Sequence, residues 1–146
     1  VEMHITQYTN YALRVLMYLD CNRGPARIID IAERHQISRN HLIKIVQQLG
    51  KHGYVNTTRG KGGGVALARP ASEINVGEIV RLTEDSLNLL ECFGDVDSKC
   101  KLKNVCRLQT LFAKALKGFF DVLDEATIAD ISANRKEILA ALGMAA

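Results

Sequence analysis

The segment Ile28-Ile29-Asp30-Ile31-Ala32-Glu33-Arg34-His35-Gln36-Ile37-Ser38-Arg39-Asn40-His41-Leu42-Ile43-Lys44-Ile45-Val46-Gln47-Gln48-Leu49 carries two helical patterns back to back. The first spans 28–36 and breaks at Ile37-Ser38, where Ser38 can accept a bond from a free N–H of the next helix. Beyond it Leu42, Ile45, Val46 and Leu49 fall at i, i+3, i+4 and i+7, one face of a helix. That leaves Arg39, Asn40, Lys44, Gln47, Gln48 and Lys51 outside the buried face. A short helix, a tight turn and an amphipathic helix with a polar, basic outer face is the layout of a helix-turn-helix. The DNA major groove admits such a helix end-on, and its first residues reach base edges. Ser38, Arg39, Asn40, His41 and Lys44 are therefore candidate DNA-contacting residues: arginine suits guanine, asparagine suits adenine, and His41 or Lys44 can reach a base or a phosphate.

On the C-terminal side, Gly50 and Gly53 end the helix. Tyr54 to Arg59 has the β-branched composition of a strand, Gly60-Lys61-Gly62-Gly63-Gly64 follows, and Val65 to Ala68 reads as a second strand. This predicts a hairpin with a basic tip, in which Arg59 and Lys61 supply charge and Gly62 lets the backbone approach a phosphate. The glycine run lacks the GK[ST] ending of a P-loop and the GxGxxG register of a dinucleotide site. Directly after a helix-turn-helix the hairpin is a wing. On the N-terminal side, Leu13, Leu16 and Met17 predict a first helix over Thr6 to Leu19, capped by Thr6 or Thr9, and Val76 to Leu82 predicts a fourth helix.

Charge follows the same division. Of the 146 residues, 1–70 hold ten Lys/Arg against four Asp/Glu and all four histidines, whereas 71–146 hold nine against twelve. A basic half suits a polyanion. Apolar residues at 47% and charged residues at 24% are those of a folded globular chain. No apolar run is long enough for a membrane span, and Val1-Glu2-Met3-His4 does not resemble a secretory signal, so no membrane association and a cytoplasmic location with reduced thiols are expected. Cysteine–histidine catalysis would need a histidine near the loop cysteines, and all four histidines lie in the basic half, so no enzyme is expected.

The helical pattern breaks near Glu84-Asp85, and before Leu108 come Cys92, Cys100 and Cys106, spaced C-x7-C-x5-C among Gly94, Asp95, Asp97, Ser98 and Lys99. Zinc sites commonly bring paired C-x2-4-C ligands and four donors in all. Iron–sulfur clusters accept wider, uneven spacing, because the thiolates surround a larger object. An iron–sulfur cluster is the favoured reading; a zinc site and a metal-free thiol switch are the alternatives. Cys21 stands apart, as a small buried apolar residue. After Cys106, Leu108, Leu111, Phe112, Ala115, Leu116, Phe119, Phe120 and Leu123 form a seam that calls for a partner helix, so Leu108, Leu111, Phe112, Leu116, Phe119 and Leu123 are candidate dimerisation residues. Thr127 to Leu142 predicts short packing helices, and Gly143 to Ala146 a frayed end. The expected fold is mainly α with a small β-hairpin wing: a winged helix-turn-helix domain over 1–84, a cysteine-rich cluster-binding loop over 85–107, and a dimerisation helix with packing helices over 108–146.

The chain resembles the winged-helix iron–sulfur regulators that include IscR, NsrR and RirA. The resemblance runs from Thr6-Gln7-Tyr8-Thr9-Asn10-Tyr11-Ala12-Leu13-Arg14 through Ile37-Ser38-Arg39-Asn40-His41-Leu42, Arg59-Gly60-Lys61-Gly62-Gly63-Gly64, Thr83-Glu84-Asp85 and Glu91-Cys92-Phe93 to the final cysteine. It implies a homodimer that binds double-stranded DNA at a pseudo-palindromic operator. It also implies Cys92, Cys100 and Cys106 as ligands of a cluster, [4Fe-4S] rather than [2Fe-2S], placed between the dimer helices and the DNA-binding heads. IscR-like members carry a histidine where this chain has Gln109. NsrR-like members use a partner-subunit aspartate where this chain has Asn10, a neutral and therefore poor iron ligand, so the fourth-ligand region at Asn10 and Tyr8 either leaves a labile, water-filled site or calls on another donor such as Tyr8 or Glu91. The recognition helix is similar to NsrR-like repressors, and Thr9-Asn10-Tyr11 with Thr83-Glu84-Asp85-Ser86 to RirA-like iron-responsive ones. Nitric oxide, iron and redox status are accordingly the signals to consider.

Overall fold

The computed structural model describes residues 3–93 and 97–145. Val1, Glu2, Gly94, Asp95 and Ala146, which enter the sequence reading above, lie outside the described residues. Helices α1 (Gln7–Asn22), α2 (Ile28–His35) and α3 (Arg39–Lys51) are followed by strands β1 (Val55–Thr58) and β2 (Gly64–Leu67), α4 (Val76–Thr83), a 3-10 turn at Glu91–Phe93, α5 (Arg107–Asp124), α6 (Ile128–Ile131) and α7 (Arg135–Ala141). The architecture is the expected one: mainly helical, with one antiparallel hairpin in the register Val55↔Leu67 to Thr58↔Gly64.

One core binds the head together. Ala12, Val15, Leu16 and Leu19 from α1 pack with Ile31 from α2, Leu42, Ile45 and Leu49 from α3, and Ile79 and Val80 from α4, all buried. The helix starts are those the sequence marks. Thr6 caps α1 by accepting from the Thr9 N–H at 3.3 Å, and Ser38 caps α3 by accepting from the His41 N–H at 3.2 Å. α1 runs on past Leu19 to Asn22, because Tyr18, Leu19 and Cys21 are still buried there, and it ends on Arg23 in the left-handed region.

The C-terminal helices belong to the same body rather than to a separate unit. Val76 N–H donates to the Ala126 carbonyl at 2.9 Å and Ile128 N–H to that of Ile74 at 2.9 Å, while Ile128 is fully buried. Arg81 clamps Asp124 with two bonds of 2.6 and 2.8 Å and lies 4.2 Å from the Phe120 ring centre, fixing the far end of α5 on α4. The tail is not frayed through Met144. Arg34 donates to the carbonyls of Leu142 and Gly143 at 2.9 and 2.7 Å, and Met144 packs against the core.

Candidate nucleic-acid interface and cysteine segment

The turn between α2 and α3 is made by Gln36 in the left-handed conformation (φ 55°) and by buried Ile37, which anchors it. α3 therefore leaves the head with Ser38, Arg39, Asn40 and His41 exposed at its first turn and Lys44 exposed one turn on. The wing reaches the same side. Ala26 and Val65 exchange backbone bonds of 2.8 and 2.7 Å, so the hairpin is tied to the chain just before α2. At Gly64 a Cβ would stand 2.7 Å from the Ala26 carbonyl oxygen, and only glycine permits that approach. Arg39 and Arg27 share a cleft of about 360 Å³ with Thr57, Thr58, Gly60 and Gly63 of the wing. Arg59, Lys61 and Gly62 are exposed at its tip, where Gly62 has φ 79°. The structure thus brings the start of α3 and the turn end of the wing onto one basic surface, the layout that sets a helix in a groove with a hairpin beside it.

Gln48, which the sequence reading sets outside the buried face of α3, has an inward duty. The Gln48 side chain donates to the Leu82 carbonyl at 3.1 Å and accepts from the Tyr8 hydroxyl at 2.6 Å. His41 is exposed, but its ring lies 6.3 Å, centre to centre, from that of Tyr11 on α1. Periodicity marked Gln48 as outside the apolar stripe; it could not show that α1 and α4 both border that side. Arg27, beside Arg39 in the cleft and paired with Asp30 at 3.0 Å, is a basic residue of this surface that the sequence reading missed.

Cys92 stands in the 3-10 turn after α4, Cys100 in an irregular stretch, and Cys106 at the position that starts α5. All three are free thiols and half-buried. Their chemistry suits an iron–sulfur group: three soft sulfur donors between α4 and α5, one beside the positive end of an 18-residue helix that favours an anionic sulfur. Among the described residues, no three His, Cys, Asp or Glu side chains gather closely enough to hold a metal ion. Cys21 differs in kind, being buried, with its thiol pKa raised by that burial and by Asp20. Of the fourth-ligand candidates, Asn10 is exposed on the first turn of α1. Tyr8 is committed to Gln48, and burial, followed by the Asp85 charge, raises its phenol pKa and opposes the phenolate a metal would need.

The seam on α5 is two stripes. Leu116, Phe120 and Leu123 pack against the head. Leu108, Leu111, Phe119 and Val122 stand 52%, 60%, 42% and 69% exposed, an apolar row at the spacing of a helix pair. Phe112 is half-buried. Val122 escaped the sequence reading because Leu123 beside it took its place in the pattern. No helix among the described residues is long and apolar enough to cross a membrane.

A family model described as Rrf2, "Iron-dependent Transcriptional regulator", matches residues 5–134. The chain is 42% identical over 144 residues to the "HTH-type transcriptional regulator NsrR" of Bacillus subtilis, covering 97% of this chain and 99% of that one. It is 44% identical over 138 residues to the regulator of the same name from Bacillus licheniformis, covering 93% and 96%. The solved structure of T. potens IscR superposes with a TM-score of 0.74 at 28% identity, covering 93% of this chain and 90% of that one.

Proposed function

The chain belongs to the Rrf2 family of iron-dependent transcriptional regulators and is not an enzyme, and on that premise we propose that it is a homodimeric repressor sensing nitric oxide, or iron and redox status, through an iron–sulfur cluster on Cys92, Cys100 and Cys106. One observation carries the reading: three free, half-buried thiols occupy the segment that joins the DNA-binding head to α5. The family implies DNA as the partner. The exposed row on α5 supports a second copy of the chain, which would set two recognition helices on the half-sites of a pseudo-palindromic operator. Likeness to regulators named NsrR supports nitric oxide as the signal, and we propose [4Fe-4S] as the cluster type.

Cys92, Cys100 and Cys106 would hold the cluster, which would supply a centre reactive toward nitric oxide and oxygen and dependent on iron supply. The chain does the rest. Ligation at Cys92 and Cys106 would fix the two ends of the segment, and with them the set of α5 against the head; release would free it. Head spacing, and hence operator affinity, follows.

The test is anaerobic purification, an absorption spectrum, and iron and acid-labile sulfide counted per chain, then separate additions of nitric oxide and of a chelator. Brown, sulfide-containing protein bleached quickly by nitric oxide supports the reading, and loss to mild chelation moves the signal to iron. Colourless protein without sulfide overturns it in favour of zinc or a metal-free thiol switch. Cys100→Ala should abolish both cluster and tight operator binding while leaving a folded dimer.

A further inference from the structure

We propose that Gln48 is a positioning residue that sets the pose of the recognition helix by the state of the cysteine segment; this rests on the function proposed above. Gln48 lies on α3 nine residues after its first residue, and its amide is held at both ends. The Leu82 carbonyl can only accept, so the amide nitrogen must face it, at 3.1 Å. The amide oxygen then faces the Tyr8 hydroxyl, which donates at 2.6 Å. One side-chain orientation satisfies both bonds, so α3 is locked between α1 and α4 in a single register.

One anchor stands at the end of α4, where the chain leaves for the cysteine segment, and the other at the start of α1, which is bonded to that same point through Thr6 and Glu84. Leu82 is the penultimate residue of α4, and its carbonyl belongs to the last turn, which has no helical partner of its own. Thr83 and Glu84 follow directly, and Cys92 lies eight residues beyond Glu84. Tyr8 is in the first turn of α1, two residues from Asn10. The same side of α3 continues the contact: Lys44 offers its carbonyl to the Tyr8 hydroxyl at 3.5 Å, and His41 stands beside Tyr11. His41, Lys44 and Gln48 fall at i, i+3 and i+7, and Tyr8 and Tyr11 at i and i+3, so two helix faces meet along their length. A displacement of the end of α4 or the start of α1 is thereby passed to the helix that carries Arg39 and Asn40.

Two nearly isosteric variants separate the anchors. Tyr8→Phe removes the donor to the amide oxygen, and Gln48→Glu places a carboxylate oxygen against the Leu82 carbonyl. Affinity is measured for a duplex selected from a random pool by the cluster-loaded wild type, using loaded and metal-stripped forms of each protein. The ratio of the two affinities should fall by about five- to tenfold in each variant, the weight of one hydrogen bond, with iron content unchanged. Amide exchange along α3 in the stripped proteins should be faster in both variants than in the wild type. A responsive wild type with equally responsive, equally protected variants overturns the inference alone. A wild type whose affinity ignores the cluster overturns it together with the proposed function.

Discussion

Glu84 holds Thr6 at two atoms, its carboxylate accepting from the Thr6 backbone N–H at 2.9 Å and from the Thr6 hydroxyl at 2.8 Å. Thr6 is also the cap of α1, so the residue after α4 and the start of α1 are fastened at one point. Beneath them the buried hydroxyls of Thr9 and Thr83 lie 2.8 Å apart, and Thr83 donates to the Ile79 carbonyl at 2.7 Å. Glu84→Ala should therefore lower stability by about 1–2 kcal/mol. Glu84→Gln, which keeps one acceptor, should cost less. Urea midpoints that do not move in either variant would show that the clasp contributes nothing.

The wing tests backbone geometry. At Gly64, with φ 151°, a Cβ would press on Ala26, so Gly64→Ala should destabilise by roughly 1–3 kcal/mol and loosen the wing. Gly60 has φ 92° with open space around it, so alanine there should cost only the conformational part, about 1 kcal/mol. Amide exchange at Ala26 and Val65, which bond each other, should rise in the first variant and not in the second. Equal effects would remove the case for close packing at Gly64.

Phosphate and base contacts are separable by salt. Arg59→Ala and Lys61→Ala should weaken binding to every duplex and flatten the slope of log affinity against log salt by about 0.9 for each phosphate lost. Arg39→Ala and Asn40→Ala should instead narrow the gap between cognate and altered duplexes by about 1–3 kcal/mol. A uniform loss in the second pair would place Arg39 and Asn40 on phosphates.

The head was legible in the sequence because its signals are local. Ser38, the stripe Leu42-Ile45-Val46-Leu49 and the glycine run each act within a few residues, and each lies where it was read. What escaped depends on residues distant in sequence. Gln48 finds Tyr8 and Leu82 across 40 and 34 positions, and Arg34 finds Leu142 across 108. The chain end is therefore tied where composition suggested fraying. The α5 seam is divided for a related reason: period alone gives a face its direction only when the neighbouring elements are known, and the head takes Leu116, Phe120 and Leu123. The cysteine spacing was plain, but three donors over fifteen positions carry no information about a fourth.

His35 gives a pH dependence with a definite sign. Its Nε2 is buried without a hydrogen-bond partner among the described residues, and its pKa lies below the ordinary 6.5 because of burial first and the Arg14 charge second. The folded protein keeps the ring neutral while the unfolded chain takes up a proton below 6.5, so this stability is present above that pH and is lost as pH falls through the folded value. Urea midpoints should drop between pH 7.5 and 5.5, and His35→Phe, which fits beside Tyr18, should flatten that drop. An unchanged slope in the variant would assign the acid sensitivity to other groups.

The two stripes of α5 make opposite predictions for the same kind of substitution. Leu111→Asp and Val122→Asp place a charge on residues that the chain itself leaves 60% and 69% exposed, so the folded head should survive. A charge buried in a helix pair is costly, and sedimentation should show a dimer for the parent and a monomer for these variants. Leu123→Asp and Phe120→Asp, the latter beside Arg81, put the charge against the head instead and should lower the thermal midpoint before any change in assembly. If Leu111→Asp and Val122→Asp both stay dimeric, the pairing surface is elsewhere; if both unfold, the row is held by the chain's own residues. A monomer that keeps its helix content and loses tight operator binding would tie the exposed row on α5 to two-site recognition of DNA.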